Sequence, residues 1–394
     1  MVIGDTVVRL RAFVPWDATE GVPELIIPPL PTGGYSDPSA SVRANVRVRS
    51  LPDGTPLLLA PGPLWARFVG RVRLIRLSSP AVRVDIATDG LIWDAVMDTD
   101  GHAIVLEQIK DRFAVRAVRP DGTTAWTMKR VAAQYHSQLL ADTQGRVFLT
   151  CTDAPDHAPT MGDVFLTRVD DRSGHVVARR EGCISHMYPD GRVIFTRWDD
   201  TRDSWVILDP QTGTESVIED IDNNRVVMSG LIGLDADGRL YGKTAIGGDC
   251  LGRMTSAGHI DWLLDIDGIA ASQRHGAAML VRDDQGSDNG VVLYEEGRVW
   301  VNTPPECEDA TLKGRRDDGG YMLHKVTNRN DHGTLVHLDP HGRLITTEPA
   351  GSDANLTVGD FRMASKSSVT PDGEVLVTVL NPAGVHVVGL KASS

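Results

Sequence analysis

Cysteine is scarce in this chain of 394 residues, and the four present are scattered. Cys151, Cys183, Cys250 and Cys307 form no Cys-x-x-Cys pair, so neither a zinc site nor a disulfide framework is signalled. They read as reduced thiols in a cytoplasmic protein. Aromatic residues make up only 5%, and many of the eight tryptophans recur within strand-like runs, leaving few for the stacked platforms of a sugar-binding surface. Positive charge is also short. A formal net charge of −13 with no basic tract argues against nucleic acid or an anionic membrane as partner. The excess of Arg over Lys reads as a GC-rich coding bias. No apolar run approaches the ~20 residues of a membrane span. The opening Met1-Val2-Ile3-Gly4-Asp5 shows no basic region followed by an apolar stretch, so no signal peptide is read. Gly-x-Ser-x-Gly, His-Glu-x-x-His, a Walker loop and a dinucleotide fingerprint are all missing, which takes weight from serine-nucleophile, zincin and nucleotide-dependent chemistry.

What the chain does have is glycine at regular intervals. Xaa-Gly turns recur at Gly54, Gly101, Gly145, Gly191, Gly238, Gly276, Gly319 and Gly373, spaced 38 to 54 residues apart. A self-similar period of that size signals a repeat architecture. Most of these glycines precede an apolar, β-branched run, as in Asp190-Gly191-Arg192-Val193-Ile194-Phe195. Asp-Gly between such runs is a hairpin signal, because glycine accepts the positive φ that a tight turn needs.

A second set of turn glycines lies inside the first. Gly122, Gly174, Gly213, Gly258, Gly297 and Gly342 each follow a first-set glycine by 20 to 29 residues. One repeat is then four short antiparallel strands, A to D, with hairpins at A–B and C–D. That is a propeller blade. The fold expected is all-β: a single β-propeller of eight four-stranded blades over residues 1–394. Seven is the alternative count, because the first repeat has no clear C–D glycine. The last repeat stops after its third strand, and the N-terminus offers an orphan strand at Thr6 to Phe13. Pairing the two completes the last blade and leaves no open edge at the seam. The most helix-like run, Val131 to Leu140, is short and sits between strands.

Two families share these turns. Leu234-Asp235-Ala236-Asp237-Gly238-Arg239-Leu240-Tyr241 resembles the Asp-x-x-Gly-x-x-Tyr turn of NHL and SMP-30-like propellers. Asp209-Pro210-Gln211-Thr212-Gly213 resembles the Asp-x-x-Thr-Gly turn of quinoprotein-like (PQQ-repeat) propellers. In that group a Trp often stands four residues after the Gly, as Trp126 and Trp262 do here. The Gly-His and Trp-Asp pairing of WD40 repeats and the adjacent cysteines of quinone-cofactor dehydrogenases are absent. The resemblance implies the fold, and no catalytic residue is carried over from it.

In a propeller the tight hairpins share one face, and the D–A and B–C connections share the other, where function is expected. Two long insertions belong to that face. One is the Pro-rich segment 14–41, which fits a lid, a dimer contact, a docking arm or a linker folded over blade edges. The other is the loop 351–363. Acidic groups also gather in its loops, including Asp199 and Asp200. Asp283, Asp284 and Asp288 form the stretch most suited to Ca²⁺, although it fails the EF-hand pattern and such residues are ordinary loop formers. Candidate inward-facing polar residues are Tyr135, His136, His186, Arg274, His275, Arg315 and Lys366.

Two functions follow. The first is a cytosolic recognition module binding a peptide, protein or small ligand on the loop-rich face. Tyr135, Arg274, Arg315, Lys366, Asp199 and Asp200 are its expected ligand contacts. The alternative is a metal-assisted hydrolase, lyase or biosynthetic tailoring enzyme at the channel mouth. There His136, His186 and His275 would hold or activate a metal-bound water. No cofactor is required by the sequence, and a divalent ion such as Ca²⁺ is the one candidate. A lone His on a strand is more often a satisfied structural group.

Overall fold

The computed structural model describes residues 6–15, 46–60, 70–88, 90–110, 112–131, 137–152, 163–181, 183–188, 190–198, 203–218, 228–244, 250–255, 259–283, 290–295, 298–300, 304–326, 333–350, 360–361, 367–381 and 384–392. These residues form eight antiparallel sheets; seven have their strands in sequence order, and the eighth takes its outer strand from the N-terminus. One short 3₁₀ turn, Pro305–Cys307, is the sole helical element among them. In the run 131–140, Val131 ends one blade and Leu139 starts the next.

The sheets are the blades of a β-propeller. Blade 1 has strands A to D at Arg47–Ser50, Pro56–Ala60, Gly70–Arg76 and Val82–Thr88. It is complete, so the count is eight. Its C–D link runs through Ser78, Ser79 and Pro80 rather than glycine, which explains the missing tooth in the second set. Blades 2 to 7 start with inner strands Leu91–Met97, Leu139–Ala141, Cys183–Met187, Met228–Leu234, Ile266–Ser272 and Ala310–Arg315. Blade 8 has a split inner edge, Asp360–Phe361 and Ser368–Val369, followed by Glu374–Asn381 and Gly384–Ala392. Its outer strand is Thr6–Pro15, paired antiparallel with Gly384–Ala392 from Thr6 opposite Ala392 to Pro15 opposite Gly384. The N-terminal strand therefore completes the last blade.

The hairpins show why Asp-x-x-Gly recurs. In blade 3 the Asp142 carboxylate accepts from the backbone N–H groups of Gln144 and Arg146, each at 2.9 Å, and from Arg146 Nε at 2.5 Å. Gly145 sits at φ +77, and a Cβ there would lie 2.5 Å from Thr99 Oγ1 of blade 2. One turn thus satisfies its own amides and sets the spacing to its neighbour. Blade 5 repeats the arrangement at Asp235 and Arg239.

Blades 1 to 6 and blade 8 each pack on two or more neighbours, and blade 7 packs on blade 6. Separate apolar clusters join blades 1 and 2, 2 and 3, 3 and 4, and 4 and 5. Others join 6 with 7, and 8 with 1. A larger cluster holds Trp262 and Leu251 of blade 5, Met279 and Ile269 of blade 6, and Val377 and Leu390 of blade 8. Blade 8 touches blade 5 directly. Ala236 N–H donates to Pro371 O at 2.8 Å, and Trp262 Nε1 donates to Thr6 Oγ1 at 3.1 Å. Blade 6 enters the same core and carries blade 7 on its other face.

The N-terminal strand is gripped by charge as well as by its ladder. Glu374, 1% exposed, accepts from Arg9 Nε at 2.8 Å and lies 3.4 Å from Arg11 Nη1. Glu374→Ala strands Arg9 and Arg11 beside a buried gap, and we expect it to cost about 2 kcal/mol, below the usual range for a buried pair because both arginines keep solvent contact. Arg9→Ala is expected to cost under about 1 kcal/mol for the same reason. Equilibrium urea unfolding of both variants checks the order.

Candidate functional site

Inner strands stand nearest the propeller axis, so their side chains decide what the channel presents. Strand A is irregular in five blades. The register slips between Ile92 and Asp94, between Ile184 and His186, twice in blade 5, between Ile266 and Gly268, and between Leu312 and Gly314. A bulge re-aims the side chain beside it. In blades 2 and 4 the residue just past the bulge is polar, Asp94 and His186.

Asp94 is 4% exposed and its lone pairs are used up. Arg49 Nη2 donates to both carboxylate oxygens, at 2.7 and 2.8 Å. The Ala95 N–H donates to Oδ1 at 2.9 Å and the Leu139 N–H to Oδ2 at 2.8 Å. Arg49 Nη1 also donates to the carbonyls of Ala95 and Leu139, each at 3.1 Å. One guanidinium thus ties the inner strands of blades 1, 2 and 3 together.

Arg47 lies two residues earlier on the same strand face, about 6–7 Å along the axis. Its Nε is buried without a hydrogen-bond partner. Burial lowers its pKa, Asp94 opposes that shift, and neighbouring Arg49 adds to it.

His186 continues the circuit. Its Nε2 is 2.9 Å from Ile232 O of blade 5. A carbonyl only accepts, so Nε2 carries the proton. Burial lowers the pKa to about 4; the Ile232 bond opposes this, and the field of Arg49 adds to it. The ring is neutral at pH 7, leaving Nδ1 a buried lone pair with no partner. Blades 5 and 8 meet where Gly233 faces Val369, and blades 8 and 1 where the Ser50 N–H donates to Ser368 Oγ at 2.9 Å. Ser367 Oγ, beside that junction, is buried without a partner too.

The structure separates the other sequence candidates. His275 lies in the A–B turn of blade 6, its Nε2 2.9 Å from Asp317 O of blade 7. His186 and His275 thus serve different blade junctions and do not converge. Arg274 is exposed in the same turn, its N–H donating to Ser272 Oγ. Arg315 is buried between blades 6 and 7, its side chain 2% exposed. It bonds Glu295 at 2.5 Å, donates to His275 O at 3.0 Å and lies 4.4 Å from the centre of the Tyr321 ring. That is a packed ion pair rather than a surface contact. Tyr135, His136, Asp199, Asp200, Asp284, Asp288 and Lys366 lie outside the described residues, as does the side chain of Asp283. So do most of segment 14–41 and of loop 351–363.

Arg47, Arg49 and Asp94 were not singled out by the sequence reading. Their signal was faint: charges at alternate positions of Val46-Arg47-Val48-Arg49, and one Asp inside the otherwise apolar Leu91-Ile92-Trp93-Asp94-Ala95-Val96-Met97.

Two features lie on the hairpin face. A cleft of roughly 230 Å³ between blades 3 and 4 is lined by Arg146, Phe148, Arg168, His175, Asp190 and Asp209, among others. Its charges are turn pairs: Arg146 with Asp142, Arg168 with Asp170, and Asp190 with Arg192. Asp98, Asp100 and His102 are the one group among the described residues that could hold a metal ion. His102 stands where Arg146 and Arg239 stand in their turns, and Asp98 already accepts from the His102 N–H at 2.8 Å. The group is a hairpin of the repeat.

No family model matches this sequence, and no curated protein matches it. Among solved structures, a catalytically inactive virginiamycin B lyase from Staphylococcus aureus with quinupristin is similar at TM-score 0.37 and 10% identity, covering 88% of this chain and 95% of that one. A puromycin hydrolase gives TM-score 0.39 and 15% identity over 89% of this chain and 61% of that one. A nidogen/laminin complex gives 0.28 and 11% over 71% and 90%. The likeness lies in the propeller fold, and no residue role transfers from it.

Two predictions follow from these environments. Asp94→Asn replaces a carboxylate that takes four hydrogen bonds, leaves the Arg49 charge without its counter-charge, and is expected to cost about 3 kcal/mol in urea unfolding. Acid sensitivity follows from the neutral histidines. His386, 1% exposed and 4.6 Å from the Phe13 ring, is likewise held at a pKa of about 4 by burial. An unfolded histidine takes up its proton near pH 6.5, well before the folded one. The stability that these histidines contribute is therefore full above about 6.5, falls as the pH drops toward 4, and is lost below that. His386 alone contributes about 3 kcal/mol of that loss as an upper bound. Unfolding midpoints at several pH values check the window, and His386→Leu flattens it.

Proposed function

We propose that this protein is a cytosolic recognition module whose ligand is a small molecule held at the polar circuit of the inner strands. The observation that carries the reading is the state of Asp94. A general base needs a free lone pair, and this carboxylate has committed its oxygens to Arg49 and two backbone amides. His186 is neutral and clamped through Nε2. Groups fixed this firmly orient a ligand rather than move protons.

The cytosolic part of the proposal draws on Cys151, Cys250 and Cys307, which are buried and form no disulfide. Burial pushes the Cys151 thiol up to about 12, against a hydrogen bond with Ser137, so it is unreactive. No helix among the described residues is long and apolar enough to cross a membrane.

Equilibrium dialysis against a metabolite mixture, followed by mass spectrometry, tests the proposal. The expected outcome is a compound retained with unchanged mass and lost in His186→Phe, which removes both ring nitrogens from the circuit. A compound whose mass changes with time, or a stoichiometric divalent ion in the purified protein, would instead establish the metal-assisted enzyme.

A further inference from the structure

The cleft between blades 3 and 4 carries opposite charges on its two walls. Blade 3 lines it with Arg146 and Arg168, and blade 4 with Asp190 and Asp209. Among the described residues, no ion pair crosses the gap. Arg146 pairs with Asp142 and Arg168 with Asp170, both inside blade 3. Asp190 pairs with Arg192 inside blade 4. Asp209 accepts from the Gln211 N–H at 2.8 Å and from the Thr212 hydroxyl at 2.9 Å, both in its own turn. Each wall keeps its contacts within one blade, and a space of roughly 230 Å³ lies between them.

The gap has a local cause. At three other junctions a ring of one blade reaches the hairpin glycine of the next. A Cβ on Gly238 would lie 3.8 Å from the Tyr188 ring, one on Gly373 would lie 2.6 Å from Tyr241 Oη, and one on Gly319 would lie 3.1 Å from His275 Nδ1. Here Gly191 meets the guanidinium of Arg146 instead, with Nη2 2.8 Å from the same position. Phe148 stands two residues after Arg146, as Tyr241 stands two residues after Arg239. It lacks the hydroxyl that Tyr241 donates to Asp235 at 3.1 Å. Its ring lies 5.8 Å from the Arg146 guanidinium carbon and lines the cleft with Val177, giving it an apolar side.

We propose that this cleft is a second binding site, separate from the inner strands, for a small zwitterion of the amino-acid or dipeptide type. The ligand carboxylate takes the Arg146 and Arg168 wall, where a guanidinium offers parallel donors to two oxygens. The ligand ammonium takes the Asp190 and Asp209 wall, and an apolar side chain lies against Phe148 and Val177. The two arginines and two aspartates on the walls sum to zero charge, so a ligand of one sign finds one wall attractive and the other repulsive. A zwitterion in the matching orientation satisfies both, which is how a charge-segregated site discriminates. Few polar groups converging beside an apolar surface is the usual make-up of a small-molecule site.

The test titrates the full chain with leucine and with glycyl-leucine by calorimetry at constant ionic strength. Isocaproate and isoamylamine, which each keep one of the two charges, serve as comparison probes. Saturable binding of leucine or glycyl-leucine is expected, with both single-charge probes weaker by about tenfold or more. Val177→Phe narrows the cleft without touching a charge and is expected to weaken binding by about tenfold. Asp209→Asn keeps an acceptor for its turn and covers the case in which Val177→Phe fails to fold. It is expected to weaken binding by about threefold or more, the smaller effect of an exposed charge. Asp121→Asn changes an exposed aspartate in the C–D turn of blade 2, which accepts from Thr123 in the same way, and is expected to bind as wild type. His186→Phe is also expected to bind as wild type, which separates this site from the inner strands. No saturable binding of either zwitterion, equal binding of a single-charge probe, unchanged binding in folded Val177→Phe and Asp209→Asn, or loss of binding in His186→Phe overturns the proposal.

Discussion

Each blade is a four-stranded sheet that is apolar on both faces, and no such sheet is stable in water alone. Everything else in the structure answers that constraint. The faces are buried blade against blade, so the stability of any one sheet is shared with its neighbours. The tight Asp-Gly hairpins hold neighbouring blades at a common spacing. The strand Thr6–Pro15 covers the last open edge, and Glu374 beneath Arg9 and Arg11 anchors it. Blade 8 is thereby joined to blade 1 through Val385, Val387 and Leu376 and to blade 5 through Trp262 and Thr6.

The axis is where this apolar solution meets its limit. Inner strands converge and cannot all present bulky side chains inward, so bulges and glycines relieve the crowding. Gly268 is the plainest case: a Cβ there would lie 2.3 Å from Leu312 O of the next blade. Blades 2 and 4 use the same irregularity to present Asp94 and His186. Polar groups at such positions must find partners, and Asp94 accepts four hydrogen bonds from three blades. Arg47 and His186 each keep one unpaired atom.

Much of the architecture was legible in the residues because glycine at positive φ has few substitutes. Gly54 through Gly373 marked all eight A–B hairpins, and each has φ between 73° and 94°. Blade 1 was the ambiguous one, since Pro80 and two serines turn its C–D corner without a glycine. The site was much less legible. Of the three histidines, His186 was legible as inward, but its neutrality depends on burial and on Arg49, which is more than 130 residues away. His275 and Arg315 looked inward and in fact close the junction of blades 6 and 7.

The sequence alone determined the period, the four-stranded unit and the completion of the last blade by the first strand. These depend on local rules: turn chemistry, alternation along a strand, and the cost of an open edge. Only the tertiary structure decided that Arg49 of blade 1 holds Asp94 of blade 2 and the backbone of blade 3, that blade 8 packs on blade 5, and that Arg47 and His186 are left with unpaired atoms. Those outcomes turn on which strands meet at the axis and how much water they exclude, and neither quantity is encoded in any single stretch of chain.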